Sequence, residues 1–214
     1  VSGEFLTKQD KLLHAIIGEE GITYAGLIPP CESDSRFAVW RGDITTLAAD
    51  AIVNAANSQL LGCWVPGHYC IDNAIHTFAG VQLRIECAAI MKAQGHEEPT
   101  GQAKVTSAYN LPSRLVIHTV GPIVENGKPT EQHKRLLAAS DRNCLDAAAE
   151  RHCKSIAFCC ISTGTFGFPQ EEAARIAVDT VRAWLDASPK DDIHVIFDVY
   201  TEKDEQTYRE ILGE

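Results

Sequence analysis

Long apolar runs are missing from this sequence. No stretch of its 214 residues approaches the ~20 apolar residues of a membrane span, so no membrane partner is expected. Positive charge is scarce too. Lys and Arg total 19 against 29 Asp and Glu, a formal net charge of -10, and the pI is near 5.2. Such a chain lacks the clustered cations that duplex nucleic acid requires, so no duplex nucleic-acid partner is expected. An anionic ligand must then be met by backbone donors or by a metal. Internal repeats and low-complexity tracts are absent. No secretory leader is evident at the start, although a chain opening on Val1 leaves a longer native N-terminus open.

Several catalytic signatures are missing as well. The zinc-protease pattern H-E-x-x-H fails, because His96 is followed by Glu97, Glu98, Pro99 and Thr100. A zinc nucleobase deaminase pairs H-x-E with P-C-x-x-C; His96-Glu97-Glu98 supplies the first half, and no P-C-x-x-C exists. Neither a Walker A sequence nor G-x-G-x-x-G occurs. A dense disulfide framework is lacking also. The cysteines are scattered at 31, 63, 70, 87, 144, 153, 159 and 160, several within apolar runs. They read as reduced thiols, most of them small apolar core residues, in the cytoplasm or a similar reducing compartment.

What is present fits an ordinary globular chain, 45% hydrophobic and 22% charged, long enough for one sizeable domain with an appendage. Residues 1–35 read as the appendage. Leu6, Leu12, Leu13, Ile16 and Ile17 recur at helical spacing before Gly21, Gly26 and Pro29-Pro30 interrupt. From Arg36 to residue 214 the rhythm is that of one domain. Strands are expected at 37–40, 50–54, 104–109, 115–120, 155–161 and 193–199. Helices are expected at 71–79, 83–93, 131–150, 169–185 and 202–212. Alternating strands and helices predict an α/β fold: a three-layer α/β/α sandwich with a central mixed, mostly parallel sheet. In such sheets ligands lie beyond the carboxyl ends of the strands.

The densest chemistry lies between Gly62 and Gly80. Cys63, His68 and Cys70 are thiol and imidazole groups, the ligand types that zinc favours. Pro66-Gly67 between them lets the chain turn back on itself. A structural zinc site normally closes with four ligands, whereas three leave a position open for water or substrate. One Zn2+ with three protein ligands and an open position is therefore the expected cofactor. Asp72 follows. It reads either as a carboxylate beside a scissile bond or as the N-cap of a helix starting at Asn73. His76, one turn on, reads as a site contact or, in preference, as a core histidine.

Three other segments sit where strands should end. In Gly42-Asp43-Ile44-Thr45, Asp43 is suited to accept from an exocyclic amine, or simply to form a turn. Asn54-Ala55-Ala56-Asn57 offers amides to sugar hydroxyls, or an Asx turn. Ser162-Thr163-Gly164-Thr165-Phe166-Gly167-Phe168-Pro169 follows a buried run and precedes a helix. Its glycines let backbone N–H groups turn toward phosphate oxygens, and the helix N-terminus adds a favourable dipole. Phe168 is suited to stacking on a base or ribose, or to core packing.

In order, GDIT, VNAAN, IDNAIH, GQAKVTSAYNLP, VIHTVGP and STGTFGFP resemble the macrodomain family over about residues 36–200. The likeness is greatest to the branch that hydrolyses mono-ADP-ribose from proteins. One departure stands out: the usual glycine-rich loop is replaced by Cys63-Trp-Val-Pro-Gly-His68-Tyr-Cys70. That insertion resembles the zinc-containing macrodomains with C-x4-H-x-C, and the N-terminal appendage also fits that group.

The resemblance implies roles. Asp43 and Ile44 would hold adenine, and Asn57 would face the distal ribose. Ser162, Thr163, Gly164, Thr165, Phe166, Gly167 and Phe168 would cradle the diphosphate and neighbouring sugar. Cys63, His68 and Cys70 would bind zinc. Ile71, Asp72 and Asn73 would line the reactive end, with Asp72 and Asn73 catalytic and Asp72 sharing its role with the metal or yielding it. The expected reaction is zinc-dependent hydrolysis of mono-ADP-ribose from Glu or Asp side chains of modified proteins, releasing ADP-ribose, by a monomer. Three alternatives stand beside it: a reader that binds ADP-ribose without turnover, a hydrolase of small esters such as O-acetyl-ADP-ribose, and a zinc that only pins its loop.

Overall fold

The computed structural model describes every residue except Pro66 and Pro189. The helical spacing near the start becomes α1 (Gly3–Glu20), capped by the Ser2 side chain on Phe5 N–H, with Leu13 and Ile17 buried. A two-residue strand follows, β1 (Thr23–Tyr24). The remaining strands are β2 (Phe37–Arg41), β3 (Leu47–Ala48), β4 (Ala51–Ala55), β5 (Ala103–Ser107), β6 (Leu115–Thr119), β7 (Ser155–Phe158) and β8 (His194–Val199). Between and after them run α2 (Ile71–Ala79), α3 (Val81–Gln94), α4 (Glu131–Glu150), α5 (Gln170–Ala187) and α6 (Glu202–Leu212).

Six strands form one sheet in the order β2-β8-β7-β4-β6-β5. All neighbours are parallel except β5 and β6. The central strands are apolar on both faces, as helix-covered parallel strands must be. Ile52, Val53, Ile117, Ile156, Val195 and Ile196 are fully buried. Helices α4, α5 and α6 pack side by side, α4 reaching β5 and β6 and α6 reaching β2 and β8. Helix α2 packs on β4, and α3 on β5. This is the expected macrodomain sandwich: a mixed, mostly parallel sheet flanked by helices, with an N-terminal helix added.

That helix is tied in twice. It packs against α2, and β1 pairs in parallel with β3. Two details of the strand reading change. The apolar run expected as a strand over 155–161 leaves the sheet after Phe158, because Cys159 onward turns into the loop that ends at Pro169. Lys104–Tyr109 pairs only as far as Ser107, and Tyr109 takes a left-handed φ of 54°. No helix among the described residues is long and apolar enough to cross a membrane.

Candidate active site

Parallel order carries the ends of β2, β4, β6, β7 and β8 to one edge of the sheet, and every polar motif named above leaves from there. The loop after β4 runs through Asn57 and Cys63 into α2. That helix starts two residues earlier than an Asp72 cap would require. Cys70 occupies the cap position without a side-chain bond, and Asp72 is the second helical residue. The N-cap reading of Asp72 is thus corrected. Its carboxyl turns inward, and the residue is only 5% exposed.

Two asparagines hold that carboxyl. Asn54 Nδ2 donates to Oδ1 at 2.8 Å, and Asn57 Nδ2 donates to Oδ2 at 3.3 Å and to Gly62 O at 3.0 Å. Burial pushes the Asp72 pKa up to about 6, with Asn54 and then Arg84 opposing the rise. His76 lies one turn on, its Nε2 3.7 Å from Asp72 Oδ1. Burial lowers its pKa to about 4, so it is neutral near pH 7. It belongs to the core, as preferred in the sequence, and not to the open site.

The metal-ligand candidates converge. The ligand atoms of Cys63, His68 and Cys70 lie within 4.8 Å of one another, and all three residues are half-buried. Cys63 Sγ is 3.3 Å from His68 Nδ1. Bond lengths in tetrahedral zinc sites put such a sulfur and nitrogen about 3.6 Å apart, so the set fits a zinc ion. Burial holds the Cys70 thiol above its ordinary pKa. Pro66, half of the expected Pro-Gly turn, lies outside the described residues; Gly67 has a left-handed φ of 69°.

The loop is braced on both sides. Asn73 Nδ2 donates to His68 O at 3.1 Å, so its amide tethers the loop. Arg84 lies over the Trp64 ring at 4.6 Å. His68 Nε2 is 3.5 Å from Thr165 Oγ1, linking the metal loop to the loop after β7.

That second loop is wound tightly. Ser162 and Gly167 have left-handed φ values of 66° and 70°. Phe168 N–H donates to Ser162 O and Gly167 N–H to Gly164 O, both at 3.0 Å. Among the described residues, the N–H groups of Gly164, Thr165 and Phe166 find no acceptor. The Ser162 hydroxyl is buried and unpartnered. Free donors beside the start of α5 are an arrangement suited to an anion. Phe166 is half-buried beside them. Phe168 is 2% exposed and packs in the core, which corrects its reading as a stacking platform.

At the far end of the sheet edge, the Asp43 side chain accepts from Thr45 N at 2.8 Å and Thr45 Oγ1 at 2.6 Å. Its residue is exposed, while the Ile44 side chain is 4% exposed. Ile71 is half-buried at the start of α2. The expected residues therefore fall along one continuous edge, from Asp43 through Ser162–Gly167 to Asp72 and the thiols. Two contributors were not singled out as site residues. Asn54 is visible only within the NAAN motif, and nothing near Arg84 distinguishes it from a solvated helix charge.

Comparison with known proteins shows the family of the chain. The Macro domain family model matches residues 53–177. A protein named protein-ADP-ribose hydrolase from Treponema medium is 54% identical over 99% of this chain and 81% of its own length. One of the same name from Staphylococcus aureus (strain MSSA476) is 48% identical over 100% of this chain and 79% of its own. Among solved structures, a macrodomain from Oceanobacillus iheyensis with ADP superposes with a TM-score of 0.75 at 39% identity, covering 83% of this chain and 90% of that one. A Trypanosoma brucei macrodomain in complex with ADP-ribose gives 0.77 at 35% identity, covering 90% and 77%.

Proposed function

The chain belongs to the macrodomain family, and from that premise we propose that it hydrolyses mono-ADP-ribose from acidic side chains of modified proteins, with one zinc ion on Cys63, His68 and Cys70. Modified proteins are its substrates and ADP-ribose is its product. The setting we infer is a monomer in a reducing compartment such as the cytoplasm. The hydrolase names of the relatives support the reaction class.

The observation that carries the reading is the place of Asp72. A single buried carboxylate, held by Asn54 and Asn57, lies at the start of α2 within two residues of the thiol set. The loop bearing free N–H groups reaches that set through the Thr165–His68 contact. The backbone donors of Gly164, Thr165 and Phe166 take the diphosphate. That is how a chain of net charge -10 holds an anion. Asn57 then faces the distal ribose. Asp72 orients the attacking water and accepts its proton.

The leaving group supports the acidic linkage we propose. A Glu or Asp carboxylate departs without a proton at pH 7, so one base and a placed water suffice. An alkoxide or amine would need a general acid as well, and among the described residues Arg84 is the only charged group that acts on Asp72. When bound, zinc supplies Lewis acidity that polarises or places an oxygen ligand, mild because two thiolates and a neutral imidazole cancel its charge.

The test is release of ADP-ribose from two substrates, one modified on Glu/Asp and one on Ser. Release from the first alone is expected. Binding of free ADP-ribose with no release from either would leave a reader module. Release from small esters only would move the substrate class to O-acetyl-ADP-ribose.

A further inference from the structure

Behind Asp72, away from the ligand loops, a chain of buried polar groups crosses three strands. The sheet register sets it up. Asn54 on β4 stands directly opposite His118 on β6, and Thr106 on β5 stands opposite Val116, two residues from His118 on the same face. Asn54 Nδ2 is 2.8 Å from Asp72 Oδ1 and 3.0 Å from His118 Nδ1. His118 Nε2 is 2.9 Å from Thr106 Oγ1, which is 3.5 Å from Val116 O. Asn54 and His118 are fully buried and Thr106 is 2% exposed.

We propose that His118 and Thr106 are positioning residues for Asp72: Thr106 fixes the His118 tautomer, and His118 in turn fixes the Asn54 amide with its NH2 toward the carboxylate. The catalytic consequence rests on the hydrolase reading above. The logic runs outward from the carboxylate, which accepts and cannot face an amide oxygen at 2.8 Å. The NH2 must therefore point there, and its second hydrogen meets His118 Nδ1. A neutral imidazole that accepts at Nδ1 carries its proton on Nε2. Burial keeps this ring neutral, lowering its pKa to about 3. Nε2–H then donates to Thr106 Oγ1, whose own hydrogen points to Val116 O. Remove the Thr106 acceptor and the tautomer is held from the Asn54 side alone, so the reversed ring competes with the carboxylate for the amide. A reversed ring presents N–H to the amide, which flips and turns its oxygen on Asp72.

The same lock decides another reading of these residues. The ligand atoms of His76, Cys87 and His118 lie within 4.8 Å of one another, the reach of a metal site. In the locked tautomer His118 Nε2 carries a proton, and it lies 3.8 Å from Cys87 Sγ. Burial first, then Glu86 and Asp72, push the Cys87 thiol up to about 12. Within the cluster only His118 and Cys87 make such a contact, and both His76 ring nitrogens are buried without a hydrogen-bond partner among the described residues.

The experiment combines nitrogen-15 NMR of the His118 ring with turnover by two variants. The Nε2–H tautomer is expected in the unmodified chain and in Thr106→Ser, and a mixed or Nδ1–H ring in Thr106→Val. The Val variant should lose about tenfold to a hundredfold in kcat through misplacement of Asp72, with its Kd for ADP-ribose within about twofold. Thr106→Ser should recover most of that loss. An Nδ1–H ring in the unmodified chain overturns the proposal without any variant, so failure of the Val chain to fold does not shelter it. Unchanged kcat in a folded Thr106→Val also overturns it. An absence of turnover in the unmodified chain, with the Nε2–H ring intact, would sink the hydrolase reading and leave the lock standing.

Discussion

Gly121, just past the end of β6, packs directly on the Ser162 side chain. A Cβ built at Gly121 would overlap Ser162 Oγ and come within 2.7 Å of Ile161 Cγ2. Two strand-end loops thus meet where only a hydrogen fits. Ser162 is already held at a left-handed φ, so the loop proposed to take the anion has little room to retreat. Gly121→Ala is expected to displace that loop at a cost on the order of 1–3 kcal/mol. ADP-ribose affinity should fall about tenfold or more by calorimetry, with circular dichroism unchanged. An unaltered Kd would show that the loop does not take the diphosphate.

Asp72 separates binding from turnover. Asp72→Ala removes the proposed base and leaves the backbone donors of Gly164–Phe166 in place. Turnover should fall about 10²- to 10⁴-fold. Affinity for ADP-ribose should change little by comparison. Because Asp72 is buried against Asn54 and Asn57, Asp72→Asn is the better-folded control. Equal loss of affinity and turnover in both variants would recast Asp72 as a binding residue.

The thiol set gives a prediction on metal content. Cys63→Ser should reduce bound zinc, measured by elemental analysis, well below one ion per chain. If zinc only pins its loop, the variant loses thermal stability and keeps turnover per folded molecule. If zinc takes part in the reaction, turnover falls with zinc content, and thermal stability falls less.

A stability prediction comes from a group remote from the site. Asp141 on α4 is 1% exposed, with Oδ2 unpartnered. Burial pushes its pKa from 3.8 to about 8, Arg142 opposing. The folded chain therefore keeps a proton that the unfolded chain releases above pH 3.8. Stability contributed by this group is full below that value, declines as pH rises, and is gone above about 8. Between pH 5 and 7 the unmodified chain should lose at least about 1 kcal/mol relative to Asp141→Asn, read from urea midpoints at each pH. Parallel pH profiles for the two proteins would contradict it.

Much of this arrangement is legible in the sequence, and its gaps have physical causes. Strand-then-turn motifs announce the loop ends, because glycine and asparagine are needed where a chain leaves a sheet toward a ligand. The cluster at Cys63, His68 and Cys70 is local, so its spacing alone suggests convergence. Asp72 is misread as a cap because helix starts are ambiguous by one or two residues, and Cys70 takes that place without making a cap bond. Phe168 carries no sign of its side-chain direction, and the turn at Gly167 sends it inward. The Asn54–His118–Thr106 chain joins residues 64 and 12 positions apart. Only sheet register brings them together, and one sequence does not reveal register. The link from β1 to β3 is similarly hidden, since strands of two residues leave no periodicity.

The central claim is tested most directly by following ADP-ribose release from a Glu/Asp-modified protein before chelation, after chelation and after zinc is restored. The account expects release, its loss on chelation, and its return with zinc. Full release from a chain shown by elemental analysis to be free of zinc would contradict it.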